Sequence, residues 1–433
     1  MKPVYIIGTG LHTALGSTTD ECITALHQIG DEKVPSVNAS TLSCTLPNNE
    51  ITIPYYLLRK TSPRDVYVRL NDVLFDVISQ AIEEAGLSEQ ALNNIGLFVG
   101  SSSFEIADEE ERFRQSLSDA DAFPLAECGM GNLSERIRKR FDINGPDFTF
   151  NTACTSSANA MLYAGQLIDQ GVIENALVVA VEFSNDTTTY GFYGLQLLSQ
   201  NALLPFDDRR DGLILGESCA AAILCGTDLS SGDRADKNPK SEILSEKNRQ
   251  EKNSLRKSNA MIRLLGGANL CDTHSMSITH EDGDVVAKVI ASALKNASVS
   301  PEEISAIKCH GTATMGGDAA EANGMRRALE SVETFPQCCA IKPFIGHTLG
   351  ACGLSEFILF CGAAQRGFIP ATKGIAAKGN DLGIILNQGL NLQSEAFEKV
   401  NEPIFGKYLL NYFGFGGNNT SLVADIVDGG DHG

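Results

Sequence analysis

Phe148-Thr-Phe-Asn-Thr-Ala-Cys154-Thr-Ser-Ser-Ala-Asn-Ala is the stretch on which the reading of this chain turns. A strand-like run, Phe148–Phe150, enters a tight turn of small residues. A helical pattern follows over Ala158–Gln170 and stops at Gly171. Cys154 therefore falls at a helix N-terminus. Free backbone N–H groups and the positive end of the helix dipole favour thiolate there, which predicts a lowered pKa and a nucleophilic sulfur. Small neighbours (Ala153, Ser156, Ser157, Ala158) leave room for a substrate. Taken alone, the same residues are explained equally well by a packed core thiol.

Outward from this elbow, strand-like and helix-like stretches alternate. Val4–Ile7, Ile95–Val99, Ala176–Val181, Ile304–Cys309 and Tyr408–Tyr412 read as buried strands, the last of these as the final strand. Asp65–Ala85, Leu133–Phe141, Ala319–Leu329 and Leu354–Ala364 carry helical patterns, and Gly86 is placed to end the first of them. Fully apolar strands separated by helices predict an α/β protein whose strands are mostly parallel and covered on both faces. Nearly half of Asp228–Lys257 is charged, which predicts a solvated insertion or a linker between halves 1–255 and 256–433. The two halves share a strand–elbow–helix rhythm.

Three further stretches carry chemistry. In Ile307-Lys-Cys-His310-Gly-Thr312-Ala-Thr314-Met-Gly-Gly-Asp318, a strand ends at a histidine and a Gly/Thr loop leads to a helix capped near Asp318. Catalytic groups often sit on such loops, although for this segment alone a satisfied histidine beside an ordinary turn is the plainer reading. Ala340-Ile-Lys342-Pro-Phe-Ile-Gly-His347-Thr-Leu-Gly350-Ala-Cys-Gly353-Leu-Ser-Glu356 places a lysine five residues before a histidine, with glycines that permit close backbone packing. Asn411-Tyr-Phe413-Gly-Phe415-Gly-Gly-Asn-Asn419 is a glycine-rich turn that fits neither a dinucleotide nor a P-loop pattern. No His/Cys spacing suits a metal. One activated cysteine and two loop histidines suit acyl-thioester chemistry. The sulfur takes the acyl group, neutral imidazoles donate to an enolate, and backbone N–H groups serve an oxyanion.

Composition excludes other classes. The 433 residues are 43% hydrophobic and 20% charged, which is globular, and a length of this order predicts two units. A net charge of −20 disfavours nucleic acid and anionic membrane. No apolar run reaches the ~18 residues of a membrane span. The first residues lack the apolar core of a signal peptide, and the twelve cysteines show no C-x-x-C pair. The expectation is a cytoplasmic protein with reduced thiols.

The sequence resembles the elongating β-ketoacyl-acyl-carrier-protein synthases, condensing enzymes of thiolase fold. Thr152-Ala-Cys154-Thr-Ser-Ser, Pro205-Phe-Asp-Asp-Arg-Arg-Asp211-Gly-Leu-Ile-Leu-Gly216-Glu217, His310-Gly-Thr-Ala-Thr, Lys342 through Gly346-His347-Thr-Leu-Gly-Ala, and Phe413-Gly-Phe415-Gly-Gly-Asn-Asn carry the likeness, in order, over nearly the whole chain. The resemblance implies an α/β thiolase fold: two duplicated halves with mixed sheets, layered α-β-α-β-α, in a homodimer. It implies decarboxylative condensation of an acyl group on Cys154 with malonyl-carrier protein. His310 and His347 would assist decarboxylation. Lys342 is similar to a buried active-site lysine, and Glu356 and Asp318 to supporting carboxylates. Phe415 resembles an oxyanion and gating residue, its N–H joining that of Cys154. Thr312 and Thr314 match phosphopantetheine contacts. No cofactor is implied beyond the carrier's own phosphopantetheine. Departures at Ser275-Met276-Ser277, Ser218 and Asn418 bear on the subfamily, leaving general fatty acid synthesis and a specialised polyene or polyketide-like lipid both open.

Carrier proteins are acidic, so docking on this acidic chain calls for a local basic patch. Arg59, Lys60, Arg64 and Arg69 form one cluster, and Arg136, Arg138, Lys139 and Arg140 another. Ordinary solvated charge would also account for them, but in so acidic a chain the expectation is carrier docking, and the first cluster resembles a basic docking stretch of the family. Two alternatives share the fold. A chain-length-factor partner in a heterodimer would usually lack Cys154. A thiolase would want a second cysteine near the C-terminus instead of Phe413-Gly-Phe415-Gly-Gly. A papain-like hydrolase shares the Cys-before-His order but not the two-histidine set.

Overall fold

The structure, a computed structural model, describes residues 1–30, 40–46, 49–59, 66–119, 129–226, 260–372 and 402–429. The charged stretch at 228–257 and the 255/256 boundary lie outside these residues, as do Lys60 and Arg64.

Thirteen strands are described: β1 Val4–His12, β2 Ser40–Leu46, β3 Asn49–Tyr56, β4 Gly96–Gly100, β5 Asp147–Phe150, β6 Asn175–Glu182, β7 Leu215–Gly216, β8 Ser218–Cys225, β9 Ala260–Cys271, β10 Ile304–Lys308, β11 Gln337–Cys339, β12 Gly406–Gly414 and β13 Asn418–Asp428. Ten form one sheet in the order β11-β10-β12-β13-β9-β1-β8-β6-β4-β5, and β2-β3-β7 form a small one. The large sheet is two five-stranded halves with the same layout. Within each half, the outer strands pair in parallel (β5-β4-β6 and β11-β10-β12) and the inner ones antiparallel (β6-β8-β1 and β12-β13-β9). The halves join through three residue pairs of β1 and β9, from Val4–Leu264 to Ile6–Ile262.

The reading of mostly parallel strands is thus corrected. Within the large sheet, parallel pairing is confined to the outer strands, because β8 and β13 return antiparallel across each half. Tyr408–Tyr412 is also not the last strand: the glycine-rich turn after it is a hairpin into β13.

Side-chain alternation assigns the layers. Ala176, Val178 and Ala180 of β6 join a central apolar cluster, while Leu177, Val179 and Val181 join an outer one with the helix Val66–Ala85. In the other half, Tyr408, Leu410 and Tyr412 of β12 face the centre, while Leu409 and Phe413 face the helices Asp284–Ala297 and Met315–Ala328. Both faces are covered, so these strands read as continuous apolar runs. The helices Ser156–Asp169 and Cys352–Gln365 fill the centre, giving the α-β-α-β-α order. Every residue from Cys352 to Ala364 is buried, so this helix is apolar on all sides apart from a few satisfied polar groups.

Close approach of the two central helices, and of the His347 elbow to the loop after β4, depends on glycine. A Cβ at Gly353 would lie 2.2 Å from the Ala158 nitrogen, and one at Gly350 would lie 2.3 Å from the Ser102 nitrogen. The Ser157 hydroxyl donates to the Gly350 carbonyl at 2.7 Å and accepts from the Leu354 N–H at 3.1 Å. These contacts bring the N-termini of both helices to one point.

Candidate active site

Cys154 follows Ala153, whose φ is +52°, a left-handed conformation that a β-carbon rarely adopts. This turn presents the sulfur just ahead of the helix Ser156–Asp169. The second elbow, after β11, runs through the short helix Lys342–Ile345 to His347. His347 Nε2 lies 3.2 Å from Cys154 Sγ. His310 sits just beyond the end of β10, its ring edge-on to that of His347 at 5.4 Å and to Phe413 at 5.6 Å. A third elbow, Phe415–Gly417, closes the site. Gly416 and Gly417 have φ near +75°, and a Cβ on Gly414 would stand 3.0 Å from the Cys154 nitrogen. The backbone N–H groups of Cys154 and Phe415 both point at the Cys154 sulfur. Phe415 stacks on Phe192 at 5.4 Å.

The expectation of a lowered Cys154 pKa is corrected. Burial pushes the thiol up to about 12, and the charge of Lys342 and the Phe415 N–H only partly offset this. A helix terminus lowers the pKa of a hydrated sulfur, whereas this one is 5% exposed. Both histidines are held well below the ordinary imidazole value, first by burial and then by the Lys342 charge. The resting pair is therefore thiol and neutral imidazole.

Lys342 Nζ donates to Glu356 Oε1 at 2.8 Å, to the His310 carbonyl at 2.7 Å and to His310 Nδ1 at 3.3 Å. Burial opposes its charge, but Glu356 opposite it raises its pKa above that of a free lysine. An ammonium donating to Nδ1 leaves the proton of His310 on Nε2, so this imidazole is a donor there. His347 Nδ1 meets no partner among the described residues.

The loop after His310 rests on two carboxylates. Glu321 accepts from the His310 and Gly311 N–H groups at 2.7 and 2.9 Å. Asp318 accepts from the Phe206 and Ala313 N–H groups at 2.6 and 3.1 Å, and burial raises its pKa to about 7. Asp318 lies inside the first turn of the helix Met315–Ala328, and Thr314 is the capping residue. The hydroxyls of Thr312 and Thr314 are 3.0 Å apart.

Cys154, His310, His347, Lys342, Glu356 and Phe415 therefore converge, from positions up to 261 residues apart. The basic residues do not form one open patch. Arg69 is bound to the buried Glu217 at 2.5 Å, and Arg136 is paired with the buried Glu105. Both guanidinium groups serve internal ion pairs, so neither is a free docking charge. Arg59 is exposed and donates to the Leu15 carbonyl at 3.0 Å. Lys139 pairs with Glu135 one turn away at 2.7 Å, Arg138 faces Asp147 at 3.4 Å, and Arg140 lies over the Phe141 ring at 5.3 Å.

Three buried residues escaped the sequence reading: Lys308, Glu182 and Glu321. Glu182 accepts from the backbone N–H and the hydroxyl of both Ser102 and Ser103, and from the Gly350 N–H at 3.1 Å. Each of the first two is a lone charge ending an apolar strand, and such charges are almost never buried without a partner. That isolation is the signal by which sequence could have found them.

Residues 1–229 match the family model described as beta-ketoacyl synthase, N-terminal domain, and 262–376 match the C-terminal domain of the same description. The chain is 28% identical to the highly reducing polyketide synthase virA of Hypocrea virens over 82% of its own length, but spans only 14% of that relative. It is 24% identical to 3-oxoacyl-[acyl-carrier-protein] synthase 2 of Vibrio cholerae, covering 98% of each chain. The solved ketosynthase ApeO of Xenorhabdus doucetiae, in complex with its chain length factor ApeC, superposes with a TM-score of 0.74 at 24% identity and 98% coverage of both chains. No helix among the described residues is long and apolar enough to cross a membrane.

Proposed function

The chain belongs to the β-ketoacyl synthase family, and we propose on that premise that it is a working acyltransferase. It joins an acyl group held on Cys154 to malonyl-carrier protein, releasing CO₂ and a β-ketoacyl-carrier protein. The observation that carries this reading is the 3.2 Å contact of His347 Nε2 with Cys154 Sγ beneath two convergent backbone N–H groups.

In the first half-reaction, Cys154 Sγ attacks the thioester carbonyl of an acylated phosphopantetheine. His347 stands within reach of the thiol proton, which passes to the departing phosphopantetheine sulfur. The N–H groups of Cys154 and Phe415 receive the carbonyl oxygen as it becomes negative. In the second half-reaction, the malonyl group loses CO₂, and the electron pair remains as an enolate on the thioester. Enolate stabilisation requires neutral histidines with an N–H to give. Burial and the lysine charges keep them neutral, and Lys342 keeps the His310 proton on Nε2. The carbanion then attacks the acyl carbonyl on Cys154, and collapse of the tetrahedral adduct returns the sulfur. No cofactor enters this sequence beyond the carrier's phosphopantetheine, whose path past Thr312 and Thr314 follows from the resemblance.

The partners we propose are an acidic acyl carrier protein and a second subunit of the same fold. That subunit is either another copy or a chain-length-factor-like chain, as in the complex of ApeO with ApeC. A non-catalytic role for this chain itself is disfavoured by the complete Cys154–His347–His310 set. The test is incubation with an acyl-carrier protein and malonyl-carrier protein. A product two carbons longer, bearing a keto group by mass, supports the reading. Release of free acid, or no turnover across an acyl-chain panel, contradicts it.

A further inference from the structure

Lys308 is wholly buried, two residues before His310, and apart from its charge has no part in the chemistry above. Its Nζ donates to Glu356 Oε2 at 2.7 Å and to the Asn411 carbonyl at 2.7 Å, and lies 3.5 Å from the centre of the Tyr412 ring. All three partners are acceptors: a carboxylate, a carbonyl and an aromatic face. An ammonium satisfies all three at once, whereas a neutral amine would carry a lone pair with no donor beside it. Glu356 thus lies between two lysines, one oxygen to each.

This arrangement couples two parts of the site. Through Glu356, Lys308 reaches Lys342 and so the Nδ1 side of His310. Through Asn411 and Tyr412, it grips β12 just before that strand turns into the Phe415 elbow. We infer that Lys308 is a positioning residue: it clamps Glu356 from the side opposite Lys342, fixing the Lys342–His310 hydrogen bond and the strand that carries the Phe415 N–H. The inference rests on the proposed condensation for its kinetic consequences, but not for its structural ones.

The titratable groups around this cluster are Lys342, Glu356, Glu321 and the uncharged Cys352 thiol beside Lys308, and Lys342, Lys308 and His347 beside His310. Burial lowers the pKa of Lys308 from its ordinary value, and Glu356 opposes that, so the three acceptors around Nζ are what hold the ammonium. Lys308 adds positive charge that disfavours both imidazolium forms, in addition to burial and Lys342. Removing it should therefore raise the pKa of both histidines.

The experiment compares the unaltered protein with Lys308→Met and Lys308→Gln, which keep length and lose charge. It reads kcat and KM for condensation, and histidine titration by NMR. A kcat loss of roughly 10- to 100-fold with KM within about twofold is expected. The acid limb of the rate and the two histidine midpoints should both move to higher pH. In a Glu356→Gln background, Lys308→Met should cost little more, because the clamp is already gone. Unchanged kcat with unchanged midpoints overturns the inference, as do losses that multiply independently in the Glu356→Gln background. Failure of both variants to fold also overturns it, since Lys308 is then a stability element only. If the unaltered protein releases no CO₂ from malonyl-carrier protein, the functional reading has failed instead. The histidine midpoints then decide Lys308 alone.

Discussion

His347 Nε2 and Cys154 Sγ, 193 residues apart in sequence, stand 3.2 Å apart in the interior, each in its uncharged form. The contact exists because Gly353 lets the N-termini of the central helices touch, while Gly350 lets the His347 elbow pack on Ser102. Cys154 thus rests as a thiol, not as a thiolate waiting for substrate, and in the proposed reaction it gives up its proton only as it reacts.

A consequence for labelling follows. With the thiol raised to about 12 by burial, the thiolate fraction of Cys154 should rise about tenfold per pH unit across pH 7–10. Alkylation by chloroacetamide, mapped by peptide mass, should climb over that range without a plateau. The exposed Cys271 should be labelled ahead of Cys154 near neutral pH. A plateau for Cys154 below pH 7 would show a thiolate–imidazolium pair and contradict the account.

Gly353→Ala would place a methyl 2.2 Å from a backbone nitrogen that cannot swing away. Overpacking of this kind costs about 1–3 kcal/mol or more, and it displaces Cys154 relative to His347. Chemical denaturation should show the stability loss, and acylation of Cys154 should fall with it. Unchanged stability would mean the central helices do not need this approach.

Glu182 ties the loop after β4 to the elbow that carries His347. Replacing it by leucine strands the N–H groups of Ser102, Ser103 and Gly350, each worth about 1–3 kcal/mol when buried unsatisfied. Glu182→Leu should thus be severely destabilised, whereas Glu182→Gln, which keeps an acceptor, should lose roughly a third to a half as much. Equal denaturation midpoints for the two variants would sink this assignment.

The surface cations divide by what they touch. Arg69→Ala leaves Glu217 buried without its cation, a loss of roughly 3 kcal/mol, and should impair carrier-bound and small thioester substrates alike. Charge reversal at the exposed Lys139 and Arg140 should instead raise KM for carrier-bound substrates and spare small thioesters. An Arg69→Ala variant of unchanged stability that is defective only with carrier-bound substrate would restore Arg69 to a docking role.

Much of this architecture was legible because local signals agreed with the tertiary outcome. The apolar runs of β4, β6 and β10, the glycine stops at Gly86 and Gly171, and the elbow at Cys154 all stand close to where pattern placed them. The antiparallel return of β8 and β13 was not legible, because strand direction depends on non-local pairing. The Cys154 pKa was misjudged for a related reason. A helix terminus is visible in sequence, whereas the burial that outweighs it is assembled from both halves. Lys308 and Glu182 were passed over because a single charge in an apolar strand gives no clue to its partner. Glu356 and Ser102 lie 48 and 80 residues away from them, respectively.

The division of labour between sulfur and histidines is the centre of this account, and CO₂ release by Cys154→Gln tests it most directly. The glutamine amide resembles an acylated cysteine, and its carbonyl should face its own backbone N–H and that of Phe415. The variant should lose condensation yet still release CO₂ from malonyl-carrier protein. Adding His310→Ala or His347→Ala should lower that release on the order of 10²–10³-fold, the worth of one preorganised donor. If the double variants decarboxylate as fast as Cys154→Gln alone, the histidines do not hold the enolate and the account fails.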